Sequence, residues 1–490
     1  MSKFSLTAVS AALAVLGLAG CTMGTPYQRP AAELPAAWDA KSGTALAKAD
    51  TALAVDKFGA EWWKVYADPR LERVVEDALL YNSNLLLAMA RVDEARAQLG
   101  IVGSDESVGV GATFGRSRTE SSARTGTLPA GAPRERNNYR AALNVSYELD
   151  LWGRLRSSTK AAQADLLATE AARNGVRNVL IADVAQTWFA LRALDEQVAA
   201  AQRSIATRGE GVALQKKRYD AGVISFFELS QLQSELSAAQ AQLPALERAR
   251  QRAHTALAVL LGRTPKEIFE QRGPVVASST GADAASDKAM VPVVVPAGLP
   301  SELLLRRPDL VQAEQGLIAA NARIAAARAS LFPAISLTGM LGSESQALGD
   351  LFTGPAGIWS LAAGLAQPIF QGGRLRAAVD AAESRERQAV LRYQQAIQGA
   401  FKDVRDAIDG QMLARQQLDA ESSRVDSLRT TYRLARMRYE NGVASLLDVL
   451  DAERGLLAAE LSRADALRAQ RAAVADLFKA LGGGWEQTVK

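Results

Sequence analysis

Cysteine and histidine are almost missing from this chain: one of each, Cys21 and His254, in 490 residues. A single cysteine excludes an intrachain disulfide, and the two residues cannot form a Cys/His metal cluster. No nucleophile–base signature accompanies His254, which lies inside a helical pattern, so neither an enzyme nor a cofactor is implied. Gly482-Gly483-Gly484 follows a helical pattern rather than a strand, which makes it a helix terminator and not a phosphate loop. Charge of one sign is lacking too: 57 basic residues stand against 53 acidic ones, a dispersed net +4, which excludes the footprint of a nucleic-acid binder. After the first 20 residues no apolar run reaches the length of a transmembrane helix. Aromatics make up only 6 % of the chain, whereas hydrophobic residues reach 48 %. Ala, Leu, Gln, Arg and Glu fill long stretches, a composition suited to long helices and coiled coils.

The N-terminus carries a secretory pattern. Lys3 supplies the positive region, and Ala8 to Ala19 an apolar run too short to span a bilayer. Leu18-Ala19-Gly20-Cys21 matches a bacterial lipoprotein box, in which the Cys21 thiol is acylated and becomes the new N-terminus, anchoring the chain to a membrane. Thr22 follows, where an Asp would resemble an inner-membrane retention signal, so the outer membrane is expected.

One motif occurs twice. RYDAGVISFFEL starts at Arg218 and RYENGVASLLDV at Arg438, 220 residues later. The same offset relates WGRLR at Trp152 to GGRLR at Gly372, and Leu261-Gly262 to Leu481-Gly482, so the chain is a tandem duplication. Residues 154–218 and 374–438 contain no proline, and Val184, Leu191, Val198, Ile205, Val212 and Tyr219 recur every seven residues. In the second copy the stripe reads Val404, Gln411, Leu418, Val425, Tyr432 and Tyr439, broken only at Gln411. A sustained seven-residue period predicts coiled-coil packing of two helices, each roughly 100 Å long. Gly222 and Gly442 then punctuate the pattern, predicting tight hairpins with return helices over 224–262 and 444–481. Shorter helices are expected at 69–100 and 302–330. By length they would lie end to end with the return helices, alongside each long one.

Between short and long helices the period falls to 2. Tyr139, Ala141, Leu143, Val145, Tyr147 and Leu149 alternate with Arg140, Ala142, Asn144, Ser146, Glu148 and Asp150, the pattern of a strand with one apolar and one polar face. Val108, Val110, Ala112 and Phe114 precede it; Ile335, Leu337 and Leu341, then Trp359, Leu361, Ala363, Leu365 and Ile369, repeat the arrangement. Aromatics near strand ends (Tyr139, Tyr147, Trp359, Phe370) suit a membrane interface; two hairpins of a soluble sandwich are the alternative. Polar loops are expected over 116–137 and 343–357, and an irregular linker over 273–300. The resulting division is a signal peptide at 1–20, an N-terminal segment at 21–68, repeats at 69–272 and 301–482 around that linker, and a tail at 483–490.

Four strands cannot close a barrel in lipid, so several copies must contribute, giving eight, twelve or sixteen strands for two, three or four chains. LPSELLLRRPDL (Leu299 to Leu310), ANARIAAARASLFPAISLTG (Ala320 to Gly339), TPYQRP (Thr25 to Pro30), the Trp62-Trp63 region and the two hairpin tips resemble the outer-membrane factors of tripartite efflux pumps, the lipidated NodT/OprM-like branch of the TolC superfamily. Val108-Gly109 departs from the Phe332-Pro333 of the second repeat, which leaves the start of the first strand open. The resemblance implies a mainly α fold with a membrane β-barrel: a homotrimer with a 12-stranded barrel, continuous with a periplasmic α-helical coiled-coil tunnel, and an equatorial region built from the termini and linker. It implies docking onto a periplasmic adaptor coupled to an inner-membrane proton-driven transporter of RND type, and export of small molecules. Asp448 and Asp451, three apart and on one helical face, match positions where family members place acidic rings at a closed periplasmic gate. Glu228 matches Asp448 across the repeats, while Gln231 replaces the second acid. Gly222-Val223 and Gly442-Val443 serve as turn residues, adaptor contacts, or both. A protein-secretion duct, a lipidated adaptor and a coiled-coil structural lipoprotein remain the rival readings.

Overall fold

The computed structural model describes residues 23–31, 33–34, 53–54, 59–122, 124, 131, 133–270, 293–294 and 303–483. The expected signal peptide, Cys21, most of the linker and the tail beyond residue 483 lie outside them. In chain order the elements are β1 (Leu53–Ala54), a 3-10 turn (Gly59–Tyr66), α1 (Pro69–Tyr81), α2 (Ser83–Ser104), β2 (Gly109–Glu120), β3 (Glu135–Leu149), α3 (Arg154–Asp220), α4 (Phe226–Leu260), α5 (Pro265–Phe269), β4 (Val293–Val294), α6 (Leu303–Arg306), α7 (Pro308–Ala329), β5 (Ala334–Ser345), β6 (Gly357–Ala366), α8 (Arg374–Glu440) and α9 (Leu446–Ala480). The long helices α3 and α8 are 67 residues each and α4 and α9 35 each, so the duplication is exact in the lengths of the hairpin helices. The chain divides into two compact units, one of 1–31, 91–170 and 312–394, the other of 32–90, 171–311 and 395–490.

The first unit carries a four-stranded antiparallel sheet in the order β2-β3-β5-β6. Its register sets Val110 beside Val145, Gly339 and Leu361, and Ala112 beside Leu143, Leu341 and Trp359, so the apolar residues of all four strands share one face. Trp359 on that face is 77 % exposed and Leu361 79 %, which suits lipid rather than water. From Leu149 to Tyr139 the apolar band of β3 covers ten residue steps, about 25 Å after the tilt usual for barrel strands. The other face is small and polar: Asn144 Nδ2 donates to Thr113 Oγ1 at 3.0 Å, and Arg140 Nε and Asn138 Nδ2 donate to Glu344 at 2.8 Å each. Where strands meet helices, Trp152 stacks on Phe332 at 4.9 Å and its Nε1 donates to the Pro333 carbonyl at 2.8 Å. Ion pairs Asp165–Arg323 and Arg328–Glu383 join α7 to the N-terminal parts of α3 and α8.

The strands are longer than expected. β2 continues to Glu120 and β3 begins at Glu135, where a polar loop over 116–137 was expected. Arg118–Glu135 and Arg134–Glu120 pair across these strand ends. The ladder outlasts the apolar alternation because only the band that meets hydrocarbon must be apolar. At the other end β6 stops at Ala366, before Pro368, so Ile369 is not in the strand. The first strand starts at Gly109. In the expected linker, Val293–Val294 pairs in parallel with Leu53–Ala54, a two-residue bridge where no regular structure was expected.

In the second unit several aromatics are buried together. Trp62 is 1 % exposed and stacks on Phe478 at 4.9 Å; Tyr66 packs on Phe189 at 4.6 Å and donates to the Arg471 carbonyl at 2.8 Å; Trp188 Nε1 donates to Asp68 at 3.0 Å. Val184 and Leu191 of the seven-residue stripe are fully buried there, and Val198 nearly so, while Tyr219 at its far end is exposed. The short helices are broken, contrary to expectation: Asn82 interrupts 69–104 and Arg307 interrupts 303–329. Both side chains are buried and cap the end of a return helix. Asn82 Nδ2 donates to the Leu260 carbonyl at 2.8 Å, and Arg307 Nη1 to the Ala480 carbonyl at 2.9 Å. Return helix and pre-strand helix do meet end to end, but through a buried polar residue that opens the short helix.

Candidate functional site

Each long helix ends in a Schellman motif. The Val223 amide donates to the Arg218 carbonyl and Gly222 to Tyr219, both at 2.8 Å; Val443 donates to Arg438 at 2.9 Å and Gly442 to Tyr439 at 3.0 Å. Gly222 and Gly442 take φ of +70° and +73°, conformations that favour glycine. The return helices start at Phe226 and Leu446 rather than at 224 and 444, because Ser225 and Ser445 are N-caps in complete capping boxes. The Ser445 amide and hydroxyl donate to Asp448 Oδ2 at 3.0 and 2.9 Å, and the Asp448 amide donates back to Ser445 Oγ at 3.2 Å. Ser225 and Glu228 do the same, at 2.9, 3.2 and 3.3 Å. Hydrogen bonds from the Ser445 hydroxyl and amide hold the exposed Asp448 carboxyl below the usual carboxylate range. Replacing Ser225 or Ser445 by alanine is expected to cost about 1 kcal/mol of hairpin stability. Hydrogen exchange of the first turns of α4 and α9 measures it; unchanged exchange rejects the cap.

Asp448 and Asp451 stand three residues apart on α9, as expected, but their partners differ. Asp451 pairs with Arg454, which also faces Glu235 Oε1 at 3.7 Å. Glu228 bonds within its own cap. At the tips Val223, Phe226, Phe227, Val443 and Leu447, each 51–70 % exposed, leave apolar surface on otherwise polar hairpins.

Sequence reasoning missed the residues that tie the two hairpins together. Arg208 of α3 is buried, its side chain 5 % exposed; Nη1 donates to the Glu235 carbonyl at 2.7 Å and Nε to Glu453 Oε1 of α9 at 3.2 Å. Farther along α3, Gln197 Nε2 donates to Asp465 at 3.0 Å and Gln186 Nε2 to Asp476 at 2.7 Å. Positions 186, 197 and 208 recur every eleven residues, 3.67 per turn, close to an undistorted helix. Nearest the tips, Gln215 Nε2 donates to the Tyr439 hydroxyl at 3.1 Å. The Arg208–Glu235 pair occurs once per chain: its counterparts in the second repeat are Leu428 and Gly455, and a β-carbon at Gly455 would lie 3.3 Å from Leu428 Cδ2. The available signal was the buried seven-residue row Ala201, Arg208, Gln215, whose last two members are polar.

Among the described residues no group of three or more His, Cys, Asp or Glu is placed to hold a metal, and no helix is long and apolar enough to cross a membrane. The membrane element is the sheet. Its open edges at β2 and β6 cannot be left unpaired in lipid, so strands of other copies complete it. Sheet and hairpins together define a subunit of an outer-membrane channel.

Comparison with known proteins gives the particular family. The model described as outer membrane efflux protein matches residues 74–263 and again 299–483, once per repeat. The chain belongs to the outer membrane efflux protein family. It is 34 % identical to the probable outer membrane lipoprotein SilC of Salmonella typhimurium, over 99 % of this chain and all of that one. It is 32 % identical to the cation efflux system protein CusC of Escherichia coli O6:H1, over 96 % and 97 %. The crystal structure of the Campylobacter jejuni CmeC outer membrane channel superposes with a TM-score of 0.85 at 26 % identity, covering 96 % of each chain. The fold is therefore the TolC-like trimeric class, a 12-stranded barrel with a helical tunnel, and the protein is an outer-membrane efflux channel.

Proposed function

We propose that the chain is the passive exit duct for small molecules in a three-part efflux assembly, docked through its hairpin tips onto a periplasmic adaptor and fed by an inner-membrane proton-driven transporter of RND type. The observation that carries this reading is the apolar surface at the two tips, where Val223, Phe226, Phe227, Val443 and Leu447 are exposed on polar hairpins. Such a surface suits a helical partner better than solvent. Gly222-Val223 and Gly442-Val443 then serve both as turns and as adaptor contacts. Cys21 carries the lipid anchor, with the signal peptide over 1–20 and the N-terminal segment, linker and repeats divided as above.

Asp448, Asp451 and Glu228 form the periplasmic gate. Three copies around one axis place carboxylate rings that favour cations, and the cap bonds of Asp448 favour its ionised form. Detergent-extracted trimers in planar bilayers are expected to conduct with a cation preference, reduced in the double variant Asp448→Ala/Asp451→Ala. Conductance with unchanged ion selectivity removes the ring assignment, and no conductance at all removes the duct.

A further inference from the structure

Beyond the apolar band the two hairpins of the sheet differ in charge. From Arg116 to Arg140 the chain carries six arginines and two glutamates, a net +4 that equals the net charge of all 490 residues. From Ser343 to Gly357 it carries Glu344 and Asp350 and no base. The register sorts the strand arginines between the two faces. Arg116 stands opposite Tyr139 and Arg118 opposite Asn137, in the same alternation as Val110, Ala112 and Phe114, so both lie on the lipid-facing side. Arg136 and Arg140 have the other parity, and Arg140 meets Glu344 on the polar face. The helices of this channel are periplasmic, so the strand ends at Glu120 and Glu135, opposite α2 and α3, face outward.

Arg116 lies at the outer edge of the band. Its guanidinium carbon sits 5.5 Å from the centre of the Tyr139 ring, a cation–π contact, and among the described residues no carboxylate is within ion-pair reach of it. One step inward on the same face, Phe114 is 67 % exposed and continues the band that meets hydrocarbon. One step outward, Arg118 gives a bond from Nη2 to Glu135, which leaves most of its five N–H donors for another acceptor. Farther out Arg134 and Glu120 satisfy each other. Neighbours on one face of a strand are about 6.8 Å apart, so the side chains of Arg116 and Arg118 can close on a single anion.

We propose that Arg116 and Arg118 bind the phosphate of an anionic lipid in the outer leaflet, once per subunit, with the acyl chains along Phe114 and Val110. Apolar strand, aromatic ring and two cations follow one another in the order in which a lipid presents acyl chain, interface and phosphate. Arginine suits the last of these because its planar fork donates two parallel N–H bonds. A protein partner fits the position less well, because Phe114 runs without a break into the band that lipid must cover.

The test is native mass spectrometry of full-length trimers, delipidated in neutral detergent and titrated with lipid A, a glycolipid carrying two phosphates. Wild type is expected to retain one lipid A per subunit. Arg116→Gln is expected to weaken retention about ten-fold, and Arg118→Gln by less, since Glu135 already engages that side chain. Arg116→Lys, which keeps the charge and loses the fork, should fall between wild type and Arg116→Gln. Arg136→Gln removes the same charge from the same hairpin on the opposite face and should bind as wild type does. Equal retention by wild type and Arg116→Gln overturns the site. An equal loss from Arg136→Gln overturns it too, since the net charge of the hairpin would then suffice. Dephosphorylated lipid A bound as tightly overturns the role of phosphate, and displacement by equimolar inorganic phosphate overturns the role of the lipid. Lost heat resistance of Arg116→Gln trimers in lipid-free detergent assigns Arg116 to a subunit contact and overturns the proposal as well.

Discussion

Arg208→Ala is expected to destabilise the paired hairpins by about 3–5 kcal/mol at neutral pH, the usual cost of removing one partner from a buried ion pair. The side chain is 5 % exposed and serves two carboxylates, Glu235 within its own hairpin and Glu453 across to the other. Burial pushes the Glu453 carboxyl above its ordinary range, and Arg208 is the nearest group that opposes the shift. The sign of the pH dependence follows. An acid whose folded-state pKa is raised contributes stability below its unfolded pKa and loses it as pH rises through the folded one. Without Arg208 the Glu453 shift grows, so the deficit of the variant is largest at neutral pH and shrinks as the solution is acidified into the carboxylate range. Heat dissociation of purified trimers, followed by circular dichroism between about pH 5 and pH 7.5, measures it. A variant as stable as wild type at neutral pH, or a deficit that widens on acidification, would falsify this account of the cluster.

Arg208 also shows where the sequence was readable and where it was not. The duplication, the hairpin turns and the one-sided strands rest on local rules: a seven-residue apolar row, a glycine at the turn, alternation along Tyr139 to Leu149. These appear in any window of the chain. The contacts that join the hairpins are made by Gln186, Gln197, Arg208 and Gln215, polar residues at buried positions of α3. A search for apolar periodicity passes over them, since an arginine in a helical pattern is ordinarily solvated. The arrival of Glu235 from α4 and of Glu453 from α9, 27 and 245 residues away, makes burial tolerable. The breaks at Asn82 and Arg307 were hidden for the same reason: what opens each short helix is the carbonyl end of a helix distant in the chain. At the tips the reverse holds. Glu228 and Asp448 were legible as acids beside a turn, but three-residue spacing from Ser225 and Ser445 also makes them caps. The proposed gate would therefore draw on two carboxylates that already serve as caps.

Gly262→Ala is expected to be the most damaging single-methyl addition at any of these turns, at more than about 4 kcal/mol. Its φ of +65° disfavours any L side chain, and a β-carbon there would stand 1.9 Å from the Tyr81 carbonyl oxygen and 2.5 Å from its carbon. Both are backbone atoms, so no rotamer change relieves the clash; the junction must open, and with it the bond from Asn82 Nδ2 to the Leu260 carbonyl. Two glycines calibrate the effect. Gly222 has a similar φ of +70° but nothing within 4 Å of the added carbon, so Gly222→Ala isolates the backbone strain, about 1–2 kcal/mol. Gly482, the counterpart of Gly262 in the second repeat, would place its carbon 2.9 Å from the Arg306 carbonyl oxygen and 3.0 Å from the Arg307 α-carbon, and Gly482→Ala should fall between the two. Denaturant unfolding of the three variants checks the order. If Gly222→Ala proves as harmful as Gly262→Ala, the turn itself and not the meeting of helix ends sets the requirement for glycine. If the order holds, the repeats share a capping geometry but not its tolerance. The first repeat, whose Gly262 lies tightest against backbone and whose return helix is capped by the short side chain of Asn82, is then the more rigidly joined of the two, and the second, capped by the longer Arg307, has more room to give.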